Sequence, residues 1–183
     1  MTEQQSRKPY KVVVWGPGGL GAICIWETLT LKEFELVGVR CYSDKKVGLD
    51  AGDYVGMKPN GIKFSNNIDE LLALDADCVI YLALDMGVFH TDDEILKILE
   101  SGKHVITPLP YQQAHLWRSR EFLDKLDAAC RKGGSVFHAT GVDPDTVSER
   151  ITQAVTGLCT DIRQLKLQEM WDCSNNSAEI MAV

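Results

Sequence analysis

The run Lys11-Val12-Val13-Val14-Trp15 leads into Gly16-Pro17-Gly18-Gly19-Leu20-Gly21, and no other segment restricts the fold of this chain as tightly. Three β-branched valines in a row favour a buried strand. The glycines at 16, 18 and 21 fit G-x-G-x-x-G directly after that strand. Apolar residues at Leu20, Ile23, Cys24, Trp26 and Leu31 follow in near-helical spacing. Strand, glycine turn and helix in this order make a dinucleotide-binding unit. Gly16 is expected to make the tight turn, Gly18 to admit a pyrophosphate against the backbone, and Gly21 to let helix and strand pack closely. With Pro17, Gly19 and Leu20 they form the expected phosphate cradle, where free N–H groups at a helix start meet the anion.

Downstream the alternation repeats. Phe34–Val39 (FELVGV) reads as a second strand, Cys78–Leu84 (CVIYLAL) as a central one, and His104–Thr107 (HVIT) and Ser135–Ala139 (SVFHA) as two more. Asn67 with Glu70 gives a capping box for a helix over Ile68–Leu74. Thr91 with Glu94 gives another for Asp92–Glu100, which Ser101-Gly102 ends. A helix over about Ala114–Arg131 closes at Gly133-Gly134, and Asp143-Pro144 opens one that runs to about Gly157. Strands joined by crossover helices predict an α/β fold: a doubly wound, mostly parallel sheet covered on both faces.

The last segment differs. Ile162, Leu165 and Leu167 set against Arg163, Lys166 and Gln168 suggest a half-exposed antiparallel strand over Ile162–Met170. A lone strand cannot bury its apolar side. The expected organisation is therefore a polar tail over residues 1–9, a dinucleotide-binding Rossmann domain over 10–158, and the start of a truncated α+β domain at 159–183.

Composition narrows the function classes. Of 183 residues, 45% are hydrophobic and 25% charged, and no apolar run approaches the roughly 18 residues of a membrane span. The polar Met1–Tyr10 stretch lacks the apolar core of a signal peptide. A net charge of -7, from 19 Lys+Arg against 26 Asp+Glu, argues against nucleic acid as a partner. The six cysteines are scattered without a C-x-x-C pair, as reduced thiols of a cytoplasmic protein would be. The four histidines show no metal-ligand spacing, so no metal is expected.

The end of the second strand selects the coenzyme. NAD sites carry an acidic residue about 20 residues beyond the loop, accepting from the ribose 2′-hydroxyl. Here Val39-Arg40-Cys41-Tyr42-Ser43-Asp44-Lys45-Lys46 puts Arg40 in that place. A planar guanidinium suits a 2′-phosphate. Ser43 adds a hydroxyl donor and Lys45 or Lys46 further charge. This pattern favours NADP(H); NAD(H) is the other reading, with Asp44 as ribose acceptor and Arg40 a solvated strand end.

In a doubly wound sheet ligands bind beyond the carboxyl ends of the strands. The sequence places there Leu84, Asp85 and Met86, then Thr107, Pro108 and on to Tyr111, then Thr140 to Asp143. Leu84, Asp85, Thr107 and Pro108 are the expected coenzyme contacts. Tyr111 reads as a surface tyrosine, His138 as a hydrogen-bonded core histidine and Asp143 as a helix cap. The cluster Thr91-Asp92-Asp93-Glu94 fits a helix start and its dipole better than a metal site.

Taken together, VVVWGPGGLG, FELVGVRCYSDKKVGLDAGD, GKHVIT, ATGVDPDT and LQEMWD give the chain, from Tyr10 onward, a pattern that resembles the N-terminal half of dihydrodipicolinate reductase. It is closer still to 2,4-diaminopentanoate dehydrogenase and the NAD(P)-dependent amine dehydrogenases. The glycine loop is shared with many families, whereas KVGLDAGD and TGVDPDT are more specific. The resemblance implies an NAD(P)H-dependent oxidoreductase delivering hydride to a C=N or C=O bond of a small carbonyl or imine/amine substrate. It also implies a second α+β domain forming the outer substrate wall and a homodimer of the full-length form. Glu169 and Asp172, from the last strand, are the expected catalytic contacts to substrate.

Three positions depart from these relatives. Glu169-Met170-Trp171-Asp172 keeps the glutamate of dihydrodipicolinate reductase but neither of its histidines, which speaks against the lysine-pathway reaction. In Thr107-Pro108-Leu109-Pro110-Tyr111, Pro110 stands where amine dehydrogenases resemble one another in a catalytic glutamate. In Gly141-Val142-Asp143-Pro144-Asp145, the second glycine of their turn has become Asp145. The alternative from a different class is a non-catalytic NADP-binding module, since half a pocket positions substrate poorly.

Overall fold

The three valines form the middle of β1 (Tyr10–Trp15), and the sheet is laid out from that strand. The computed structural model describes residues 8–85, 89–170 and 172. Along the chain β1 is followed by α1 (Gly19–Thr30), β2 (Phe34–Arg40), α2 (Ala51–Tyr54) and β3 (Phe64–Ser65). Next come α3 (Ile68–Ala73), β4 (Cys78–Tyr81), α4 (Asp92–Glu100), β5 (His104–Thr107), α5 (Arg120–Gly133) and β6 (Phe137–Ala139). A wide π-type helix, Val142–Ile151, runs into α6 (Thr152–Thr156).

The six described strands lie in the order β3-β2-β1-β4-β5-β6, and every neighbouring pair is parallel. The order reverses between β1 and β4, so the carboxyl ends of these two strands flank the crevice where such sheets bind nucleotides. Met86 lies outside the described residues, as do the N-terminal residues 1–7 and residues 173–183.

Each face of the sheet has its own core. Val13, Trp15, Val79, Tyr81 and Val105 pack against Leu71 of α3, Ile95, Ile98 and Leu99 of α4, and Phe122 and Ala129 of α5. On the opposite face Val14, Leu36 and Val39 pack with Ile25, Ala51 and Phe64. Beyond β1 this second face is not covered by any helix among the described residues. Alternate residues of β4 to β6 (Cys78, Ile80, His104, Ile106 and His138) line an open groove of about 480 Å³ instead. The expectation of helices over both faces thus fails at β4–β6, and His138 is exposed on the uncovered side rather than buried in the core.

Four further differences from the sequence reading have local causes. Of the apolar residues whose spacing marked α1, only Cys24 packs against the core; Leu20 at 51% and Ile23 at 58% exposure, with Trp26 and Leu31, face outward. Gly21, Ile25 and Thr28 are buried in their place, because the approach of Gly21 to the β1 turn fixes how the helix is rotated. The long helix expected over Ala114–Arg131 divides. Gln113 adopts a left-handed φ of +49°, a single 3₁₀ turn covers Ala114–Leu116, and Ser119 opens α5 by accepting from the Phe122 amide. The helix expected to be capped by Asp143 is instead preceded by Gly141, with no side-chain cap.

Finally, Ile162–Met170 forms no strand: Ile162, Leu165 and Leu167 are exposed, and the segment is irregular. It pairs with neither β3 nor β6, the edges of the sheet, and an unpaired strand has no partner for its backbone groups.

The segment between β2 and β3 is organised by one buried carboxylate. Asp50 caps α2 through Oδ1, which accepts from the amides of Gly52 (2.9 Å) and Asn60 (3.0 Å). Its Oδ2 accepts from the Gly61 amide (2.9 Å) and from Lys63 Nζ (3.3 Å). Burial alone would raise the pKa of this group; the amides of Asn60 and Gly61 and the Lys63 ammonium outweigh it and hold the pKa at about 2.

A depressed carboxylate stabilises the fold fully above its ordinary value of 3.8 and loses that contribution as pH falls toward about 2. Thermal melts between about pH 5 and about pH 2 check this. The wild type should lose melting temperature across the window. Asp50→Asn should start lower at neutral pH and fall with a shallower slope; parallel curves would remove the assignment.

Candidate functional site

The turn after β1 holds its shape because side chains are missing from it. Gly16 has φ +97°, in the left-handed region. A Cβ at that position would lie 2.9 Å from the backbone of Leu82 and Ala83, just after β4. A Cβ on Gly21 would collide with the Gly16 carbonyl oxygen. Gly18 and Gly19 are different: a Cβ on either meets nothing within 4 Å, so both border open space. The helix start carries no side-chain cap and no acidic residue in its first turn. Its first amides lack intrahelical acceptors, as all helix starts do. A pyrophosphate fits here: the amides are available, the dipole favours the anion and no side chain occupies its place.

That open space is a groove of about 250 Å³. Its walls are the turn (Gly16–Gly18), the segment after β2 (Tyr42, Ser43 and Lys46) and the segment after β4 (Leu82–Leu84). The turn is also tied from the side. Lys46 Nζ donates to the Pro17 carbonyl at 2.7 Å and to the Tyr54 hydroxyl at 2.9 Å, and Tyr54 donates to the same carbonyl at 2.7 Å. Ser43 and Leu84, expected at the coenzyme, therefore meet Gly16, Pro17 and Gly18 at one groove.

Arg40 sits differently from the expected open cation. It is 7% exposed, and its guanidinium lies 4.6 Å from the Tyr42 ring centre and 5.8 Å from that of Trp15. Its Nη1 donates to the Cys41 carbonyl, while Nε is buried without a hydrogen-bond partner. Asp44, the alternative ribose acceptor, accepts from Asn66 Nδ2 at 2.7 Å.

Behind Tyr42 lies a carboxylate that the sequence reading assigned to a capping box. Glu94 Oε2 accepts from the hydroxyls of Tyr42 (2.5 Å) and Tyr81 (2.7 Å) and from Trp15 Nε1 (3.2 Å). Desolvation first, and the nearby Glu94 second, push the Tyr42 hydroxyl well above its ordinary range; burial likewise leads the rise at Tyr81. Both stay protonated and act as donors. No box forms at Thr91 because that residue is already helical and its hydroxyl donates to Asp85 Oδ2 at 2.8 Å.

The remaining expected contacts separate from the groove. Asp85 is buried, accepting from Thr91 and from the Phe89 amide, and so braces the segment after β4 from within. Thr107, fully buried at the end of β5, accepts from the Leu109 amide, with Pro108 beside it. Tyr111 is 5% exposed rather than at the surface; its hydroxyl donates to Asp92 at 2.5 Å. Asp92 also pairs with Arg118, whose guanidinium lies against the Phe122 and Phe89 rings at 3.6 and 4.0 Å. Glu169 and Asp172 are on the irregular segment that follows α6. Asp145 has φ +117°, the conformation glycine takes most easily, and holds it by accepting from Thr140 (2.6 Å) and Arg150 (3.1 Å).

The sequence reading assigned no part to Tyr42, Tyr54 or Leu82. Only the closeness of Tyr42 to Arg40, and of Tyr54 to the specific KVGLDAGD stretch, could have drawn attention to the tyrosines.

No protein-family model matches the chain. It is 30% identical over 167 residues to an amine dehydrogenase from Streptomyces virginiae, an alignment covering 88% of this chain and 46% of that protein. The chain thus spans about half the length of the curated relative it matches. The fold is shared with an amine dehydrogenase from Mycobacterium smegmatis at TM-score 0.70 and 23% identity, over 80% of this chain and 43% of that one. It is shared also with a 3-ketoreductase from Actinomadura kijaniata, solved in complex with TDP-benzene and NADP, at TM-score 0.58 and 18% identity, over 82% and 43%. These likenesses bear out the Rossmann-like α/β fold and the resemblance to NAD(P)-dependent amine dehydrogenases.

The Glu94 cluster gives a direct test. Glu94→Ala removes the acceptor that three donors share: Trp15 Nε1 keeps the Tyr42 hydroxyl at 3.1 Å, and the hydroxyl of buried Tyr81 is left with only that of Tyr42 at 3.4 Å. A buried donor left unsatisfied costs about 1–3 kcal/mol. Urea denaturation should register a loss in that range, with a shift in tryptophan emission from Trp15; an unchanged midpoint would show that water replaces the carboxylate.

Proposed function

We propose that this chain, similar to amine dehydrogenases along nearly all of its length, is the coenzyme-binding half of an NAD(P)H-dependent oxidoreductase that reduces a C=N or C=O bond. The observation that carries the reading is the side-chain-free cradle. Gly16 and Gly21 are packed against backbone where no Cβ fits, while Gly18 lines an open groove and Gly19 borders open space. Structural packing explains the first two glycines; only a ligand that must approach the backbone explains the other two.

When bound, the coenzyme supplies the hydride, and the chain's own work is to hold and orient it. The first amides of α1 take the pyrophosphate. Leu84 and Tyr42 flank the adenosine end. The groove is lined by a lysine and a serine and, among its described walls, by no acidic residue. That supports NADP(H) over NAD(H), with Asp44 engaged by Asn66.

On the substrate side we assign Glu169 and Asp172 to polar contacts, in a second domain that starts near residue 159. The complete enzyme is read as a homodimer of cytoplasmic location acting on a small carbonyl or imine/amine substrate. Pro110, in place of the glutamate of the amine dehydrogenases, keeps carbonyl reduction open beside amine formation. One observation favours a non-catalytic coenzyme-binding module as the second reading: Glu169 and Asp172 lie on a segment without regular structure.

Isothermal titration of NADPH and NADH against the 183-residue chain tests the coenzyme reading. Gly18 has extended backbone, with φ −83° and ψ −159°, which a β-branched residue adopts readily. Gly18→Val should therefore fold normally, fill the groove and weaken binding about tenfold or more. No binding by the wild type at millimolar coenzyme, or unchanged affinity in the variant, would refute the reading. Ketones offered with NADPH, with and without ammonia, then separate an enzyme from a binding module by loss of the nicotinamide absorbance.

A further inference from the structure

We infer that Lys46, rather than Arg40, is the residue that recognises the 2′-phosphate of the coenzyme and so sets its choice between NADP(H) and NAD(H). The inference rests on the coenzyme reading above and assigns within it the residue that discriminates.

The stretch after β2 offers three cations, and the structure separates them. Arg40 is at the expected sequence position but is 7% exposed and stacked among Tyr42 and Trp15, with Nη1 spent on the Cys41 carbonyl. A guanidinium held on aromatic faces and on backbone is poorly placed to present a planar fork to a phosphate in the groove. Lys45 is exposed and is not part of the groove wall. Lys46 is half-buried and lines the groove beside Ser43 and the turn.

Its ammonium is already fixed. It donates to the Pro17 carbonyl at 2.7 Å and to the Tyr54 hydroxyl at 2.9 Å. An ammonium has three N–H donors, so one remains for a ligand oxygen. Because two bonds hold the side chain in place, little rotamer entropy is lost when the third forms. Pro17 lies in the turn itself, between the glycines that face the pyrophosphate. A cation anchored to its carbonyl would stand beside the adenosine ribose of a coenzyme whose pyrophosphate rests on the α1 amides. Ser43, on the same wall, supplies a hydroxyl donor to the same anion. The acidic residue that would repel a 2′-phosphate, Asp44, is bonded to Asn66.

The test uses two fragments of the coenzyme that differ in the 2′-phosphate. Adenosine 2′,5′-bisphosphate and adenosine 5′-phosphate are titrated calorimetrically into the 183-residue chain and its variants. The wild type should prefer the bisphosphate by about tenfold or more, the effect of one charge-assisted hydrogen bond. Lys46→Met should remove that preference, lowering affinity for the bisphosphate far more than for the 5′-phosphate, because Tyr54 still holds the Pro17 carbonyl. Lys46→Arg should recover part of it, and Lys45→Met should keep all of it. The preference should also shrink with added salt in the wild type and not in Lys46→Met.

Retention of the preference in Lys46→Met would overturn the inference and return the role to Arg40. An equal loss for both fragments would overturn it too, leaving Lys46 as a prop for the turn; a thermal melt of each variant shows whether the fold is kept. If the wild type binds both fragments equally, the inference falls while the coenzyme reading stands. If it binds neither, the coenzyme reading fails and the assignment with it.

Discussion

Two backbone contacts with no room for a side chain govern the end of the sheet that carries the glycine turn. Gly16 lies against the backbone of Leu82 and Ala83, and Gly21 lies against the Gly16 carbonyl. The first contact draws the exits of β1 and β4 together and lets Trp15 and Tyr81 stack at 6.3 Å. The second fixes the rotation of α1, which turns Ile25 and Thr28 inward and leaves Leu20 and Ile23 in water. Burying those residues instead would require turning the helix, and a turned helix would lose its close approach to the loop. Hydrophobic burial yields here to backbone geometry, and the result is an anion-ready helix start.

Polar groups around the loop obey a common rule: the carboxylates taken wholly or partly out of water collect several donors. Glu94 gathers two tyrosines and a tryptophan, Asp50 gathers backbone amides and Lys63, and Asp92 gathers Tyr111 and Arg118. Burying a charge is costly unless it is both paired and hydrogen-bonded. These hubs satisfy that condition and fix the segments after β2 and β4 that face the groove. Arg40 is the partial exception, with Nε buried and without a hydrogen-bond partner, compensated by the faces of Tyr42 and Trp15.

The sequence makes legible whatever depends on neighbours in the chain. Valine runs mark β1 and the exit to the glycine turn, Asn67 caps α3 by accepting from the amides of Asp69 and Glu70, and Gly102 and Gly134 end α4 and α5 with positive φ. Contacts between distant residues are not legible. Glu94 at the start of α4 reads as half of a local box, yet its partners Trp15 and Tyr42 are 79 and 52 residues away. Tyr111 reads as exposed among prolines, and only the packing of α4 beside α5 brings it to Asp92. The same holds at the site: the glycines announce the cradle, while the choice among Arg40, Lys45 and Lys46 depends on which side chain the fold has already used. For Ile162–Met170 the alternation is real, but alternation describes a strand only when another strand is there to receive it.

The tether from Lys46 and Tyr54 to Pro17 carries a dynamic consequence. Asp50 ties residues 52, 53, 60, 61 and 63 together, and Lys46 and Tyr54 of the same excursion grip the glycine turn through a single carbonyl. Local opening of a protein proceeds in cooperative blocks rather than bond by bond. An opening of this excursion between β2 and β3 would therefore free the Pro17 carbonyl as well, while Gly16 keeps its backbone contact with Leu82 and Ala83.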